Sequence, residues 1–146
     1  MNLKEWRRNG WLKPHVTSLE EIGNLFEIVR RDLEDAGREE ISTDWRFGIA
    51  YNAALKLCTI LLYAEGFRPE KTLAHYRTLQ ALPVILGMDR EDDAAYLDAC
   101  RIKRNSVEYD CAGGTTAAEA DELLKFTKEL EKAVKQWLKK HHQKLF

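Results

Sequence analysis

Three prolines and eight glycines in 146 residues leave long stretches with nothing to interrupt a helix. The three cysteines, Cys58, Cys100 and Cys111, are odd in number and share no ligand or redox spacing. That excludes a disulfide framework and a cysteine-rich zinc site, and a reducing, cytoplasmic setting is expected. Charge of one sign is lacking too: 23 basic against 24 acidic side chains give a formal net charge of -1. No global field therefore draws the chain onto nucleic acid or a membrane, and any such contact must come from a local patch. No run approaches the ~18 apolar residues of a membrane span, and the opening Met-Asn-Leu-Lys-Glu-Trp-Arg-Arg lacks the apolar core of a secretory signal. Strand-like alternation, internal repeats and low-complexity segments are missing as well.

What is present, 45% apolar and 32% charged residues, is the composition of a helix-rich globule long enough to bury a core. The periodicity predicts an all-α, five-helix up-and-down bundle over 18–142, with an N-terminal arm at 1–17 and a tail at 143–146. In the arm, Gly10 and Pro14 limit Leu3, Trp6, Trp11 and Leu12 to a short helical turn whose tryptophans lie on the body or on a partner. Ser18-Leu-Glu-Glu21 has the form of a capping box, and Leu19, Ile22, Phe26, Val29, Leu33 and Ala36 make a buried stripe ending at Gly37.

From Trp45 to Ala64 the second helix is apolar on nearly every face, so the other helices cover it all round or part of it is a dimer seam. Gly66 stops it, and Pro69 suits the first turn of a third helix that sends Leu73, Tyr76 and Leu79 to the core and turns His75 and Arg77 elsewhere. Pro83 limits that helix to one more turn before Gly87. Glu91, Asp92 and Asp93 then match the positive end of a helix dipole, which explains an acidic cluster without a metal. Thr116-Ala-Ala-Glu119 opens the last helix, with Ala120, Leu123, Thr127, Leu130, Val134 and Trp137 facing inward.

Reactive side chains concentrate in Arg101–Asp110. At ~100° per residue, Arg101, Arg104, Asn105 and Glu108 share one stripe of the fourth helix, while Ala95, Ala99, Ile102 and Ser106 run down the other side. Forked arginine donors beside a carboxamide suit a phosphate group. The plainer reading is a solvated face with an Arg104–Glu108 pair worth a few tenths of a kcal/mol.

Five helices in this order, the run Asp44–Leu55, the segment Ala64-Glu-Gly-Phe-Arg-Pro69, the pair His75-Tyr76 and the stretch Lys103-Arg-Asn-Ser-Val-Glu-Tyr109 together resemble the HEPN superfamily across residues 18–140. The resemblance implies a homodimer binding RNA or nucleotide at a two-fold cleft, without metal or cofactor. It also implies a possible place in a toxin–antitoxin-like pair with a nucleotidyltransferase-like partner. Many members are metal-independent ribonucleases whose motif is an arginine followed several residues later by a histidine. Arg104 takes the arginine's place, Asn105 the polar position after it, and Tyr109 stands where the histidine belongs.

A phenol with a pKa of about 10 is a poor substitute for an imidazole near 6.5 in moving protons at neutral pH. The first reading is accordingly a binding module using Arg101, Lys103, Arg104, Asn105 and Tyr109. The second is a ribonuclease using Arg104 and Asn105 with Tyr109 or His75, and Glu108 as an auxiliary group. The third is a protein-interaction module whose polar stripe holds the dimer together.

Overall fold

The computed structural model describes residues 2–109 and 113–146, with the side chains of 107–109 outside the description. Asp110 and Cys111, and the side chains of Glu108 and Tyr109, therefore lie outside the described residues. Among the described residues the chain runs through six α-helices and one two-stranded ribbon: α1 (Leu3–Arg8), β1 (Leu12–Pro14), α2 (Leu19–Ala36), α3 (Thr43–Ala64), β2 (Phe67–Pro69), α4 (Ala74–Leu86), α5 (Glu91–Tyr109) and α6 (Ala117–His141). The five long helices match the expected all-α bundle, and α1 is the arm's helical turn.

Helix α3 is the centre because its sequence leaves it no other place. Ala50, Tyr51, Ala53, Ala54, Leu57, Ile60, Leu61 and Leu62 are all fully buried, and α2, α4, α5 and α6 pack around it. A helix this apolar must be covered on several sides at once. Contrary to the expectation that no run approaches a span, α3 is by length and composition apolar enough to cross a membrane, but 72% of its most apolar window is buried inside the bundle, the pattern of a core helix. Its start is fastened by Ser42, whose hydroxyl accepts from the Trp45 amide at 3.4 Å. Asp44 accepts from the amides of Gly113 and Thr115, tying the entry to α6 onto the first turn of α3. Buried Arg46 donates from Nε to the Ala36 carbonyl at 2.7 Å and also bonds Asp121, joining α2, α3 and α6.

Several local expectations hold and others are corrected. Thr116 and Glu119 form the complete capping box. Ser18 caps α2 through the Glu21 amide, but the Glu21 carboxylate turns to Thr17 and His15, both at 2.7 Å, instead of reaching back. Leu19 and Leu73 are exposed, because each sits at or before the first residue of its helix, ahead of the buried stripe. Pro69 does not open α4. It pairs with Leu12 in the antiparallel ribbon β1–β2, where Lys13 faces Arg68 and Pro14 faces Phe67. The ribbon and α1 lay Trp6 and Leu12 against Leu62 and Ala81 in a second small core.

The largest correction concerns α5. The buried line on this helix is Ala94, Leu97 and Cys100, while Ala95, Ala99, Ile102 and Ser106 are exposed. Arg101 and Arg104 are half-buried, Arg101 against the ring of α4's Tyr76 and Arg104 against that of α3's Tyr51. The polar stripe thus turns partly inward, because Ala and Ser have too little apolar area to outcompete Leu97 for the core.

Candidate anion-binding site

Three helices bring basic side chains to one place. From α5, the Arg104 guanidinium lies over the Tyr51 ring with Cζ 5.5 Å from the centroid, a cation–π contact that holds it in position. One turn earlier, Arg101 donates from Nε to Asp98 at 2.8 Å and lies 5.9 Å from the Tyr76 ring. From α3 comes Lys56, the only charged residue between Arg46 and Ala64. From α4 comes His75, in the helix's first turn. His75 keeps much of its surface exposed, yet partial desolvation and then the charges of Arg104, Lys56 and Arg101 hold its imidazole below the ordinary histidine range. Desolvation is the larger cause, and the smaller, coulombic part places the charges of three cations near the ring.

The end of α4 adds to it. Leu73 stands at the N-cap in the left-handed region at φ 57, with no side-chain cap and no acidic residue in the first turn. A non-glycine residue with this backbone carries a cost of roughly 1 kcal/mol or more. It stands where Ser or Asp would usually satisfy the first amides, so the positive end of the dipole has no side-chain cap at the turn that carries His75.

Beneath the cluster lies Tyr51, fully buried, with a hydroxyl that has no hydrogen-bond partner among the described residues. Burial raises its pKa well above the ordinary phenol value, and Arg104 and Arg101 oppose that shift. A buried hydroxyl without a partner costs about 1–3 kcal/mol. Tyr51→Phe is therefore expected to raise the unfolding free energy by about 1 kcal/mol in urea. A loss of stability instead would mean that the hydroxyl has a partner it depends on.

No family model, curated protein or solved structure matches this chain. The candidate site consequently rests on its own geometry.

Of the residues singled out in the sequence, Arg101, Arg104 and His75 come together. Asn105 is exposed on the next position of α5. Lys103 is placed elsewhere: its ammonium pairs with Glu119 of α6 at 2.8 Å and holds that carboxyl well below the usual range. It lines a cavity of about 150 Å³ with Phe47, Tyr96, Ala99, Cys100 and Glu122, on the other side of the helix from Arg101. The two described thiols are poor nucleophiles, since burial pushes Cys58 up to about 12 and Cys100 to about 11. Among the described residues no group of three His, Cys, Asp or Glu side chains is placed to hold a metal ion. Lys56 and Tyr51 were missed in the sequence, although a lysine that is the only charged residue from Phe47 to Ala64 was a signal in plain view.

Proposed function

We propose that this chain binds RNA or a nucleotide through phosphate at the Lys56–His75–Arg101–Arg104 cluster. In this reading it is a HEPN-like module that works as a homodimer with the cluster at its two-fold cleft, and it fits a toxin–antitoxin-like pair with a nucleotidyltransferase-like partner. The observation that carries the binding site is the convergence of Lys56, Arg101 and Arg104 on His75 at an uncapped helix start, in a chain whose net charge is only -1. Cations at a helix N-terminus are the ordinary means of holding phosphate. The resemblance in Lys103-Arg-Asn-Ser-Val-Glu-Tyr109 supports the same reading.

A second reading, metal-independent RNA cleavage, draws on one feature. The imidazole electrostatically coupled to Arg104 is that of His75 rather than a residue at the motif position, and its lowered pKa leaves it neutral at pH 7. A neutral imidazole beside a phosphate-binding arginine can accept the proton of a 2′-hydroxyl.

The test is a metal-free incubation of the purified protein with a mixed RNA pool, read for retention and for cleavage, with Arg104→Ala and His75→Gln alongside. Retention that weakens with salt and is lost in Arg104→Ala supports the binding site. Cleavage lost in both variants supports the second reading, and RNA passing all three samples unretained and intact overturns both.

Binding should also depend on pH. Phosphate favours protonated His75, so bound RNA raises a pKa that desolvation and then the neighbouring cations had lowered. Affinity for a phosphodiester chain, which does not itself titrate here, is expected to rise as pH falls through and below about 6.5. Fluorescence anisotropy on wild type and His75→Gln checks this, and an equal pH slope in both contradicts it.

A further inference from the structure

Leading away from the cluster toward the N-terminal arm is a second arrangement of cations and rings. The Arg77 guanidinium of α4 stacks on the indole of Trp11 with Cζ 3.8 Å from the ring centroid, and it lies 5.8 Å from the Tyr76 ring. Tyr76 in turn has Arg101 at 5.9 Å from its centroid. Trp11, Tyr76 and Arg77 are each half-buried, so each keeps surface to offer. Trp11 is steadied from behind by an edge-on contact with Trp6 at 5.8 Å. The series Trp11, Arg77, Tyr76, Arg101 then reaches Arg104 one helical turn further along α5.

We propose that this ladder is a stacking track for single-stranded polynucleotide, whose bases lie on Tyr76 and on the face of the Arg77 plane turned away from Trp11, which backs it, while a phosphate sits at the cluster. The proposal rests on the reading of the cluster as a phosphate site. Two alternatives for the ladder are less well matched. As a latch for the arm it would be redundant, because Trp6 at 7% and Leu12 at 3% exposure already anchor that segment by burial. As part of a mononucleotide pocket it is too long, since one base covers one ring and leaves the rest idle. Interleaved cations and aromatics are what an unpaired strand uses, its bases being available to stack and its phosphates evenly spaced. A duplex presents no free base faces to such a ladder.

The test uses the full chain and three probes: a single-stranded RNA of about eight nucleotides, the same length as a duplex, and a nucleoside 5′-monophosphate. Binding is read by anisotropy and by tryptophan quenching. The single strand is expected to bind tightest, and Trp11→Leu to weaken it roughly tenfold, because the Arg77 plane loses its backing and with it one stacked base, while leaving the monophosphate unchanged. Arg77→Ala gives the same pattern and covers the case in which Trp11→Leu loosens the arm, which a thermal melt detects. Single strand, duplex and monophosphate bound alike, or a single-strand affinity untouched by either variant, overturns the track and leaves the phosphate site standing. Failure of all three probes to bind removes the phosphate site and the track together.

Discussion

Arg104→Ala weakens RNA binding ten- to a hundredfold at low salt, because a charge-assisted hydrogen bond to phosphate is worth about 1.5–3 kcal/mol. Arg104 is held over the Tyr51 ring and meets a ligand with little side-chain entropy left to lose. Arg104→Lys does not rescue the loss, since a point ammonium reproduces neither the fork nor the ring contact. The salt dependence also falls by about one ion in Arg104→Ala, as expected when one phosphate contact is removed. Titrations at two salt concentrations measure both quantities, and affinity equal to wild type contradicts the assignment of Arg104.

Leu57→Ala lowers the unfolding free energy by about 3–5 kcal/mol. Leu57 is fully buried in the main core on α3, where the neighbouring helices are fixed by their own contacts and cannot collapse into the space. Against a total stability of about 5–15 kcal/mol this is enough to depopulate the fold on modest heating. Its neighbour Lys56 is the contrast. One position along a helix is a turn of ~100°, and Lys56 is half-exposed. Lys56→Ala is expected to leave stability within about 0.5 kcal/mol while weakening RNA binding. Urea unfolding of the two variants side by side separates core from site. A Leu57→Ala cost below about 1 kcal/mol would contradict the packing described for α3.

The bundle was legible because its strongest signal was also its physical centre. A helix apolar on nearly every face from Trp45 to Ala64 had to be enclosed, and the amphipathic stripes of α2 and α6 supplied faces to enclose it. The ribbon was not legible: three residues on each side are too few for alternation, and the pairing of Leu12 with Pro69 is a long-range event that no local pattern announces. Pro69 read as a helix opener for the same reason.

The candidate site was legible in part. Arg101 and Arg104 stood out by spacing, but the spacing could not say which way α5 faces. A stripe of Ala95, Ala99, Ile102 and Ser106 looks like a core face until Leu97 and Cys100 compete with it. Lys103 joined the basic run by adjacency alone and is turned toward Glu119. Lys56 and His75 belong to different helices from Arg104, and only the packing of α3, α4 and α5 makes them neighbours.

Cations from α3 and α5 press on His75 at the start of α4, and NMR titration of the His75 ring in wild type and Arg104→Ala reads that pressure. A wild-type pKa below the ordinary value of about 6.5 is expected, moving upward in Arg104→Ala and upward also in wild type on adding single-stranded RNA. A His75 that titrates at the ordinary value in both proteins, unmoved by RNA, would contradict it.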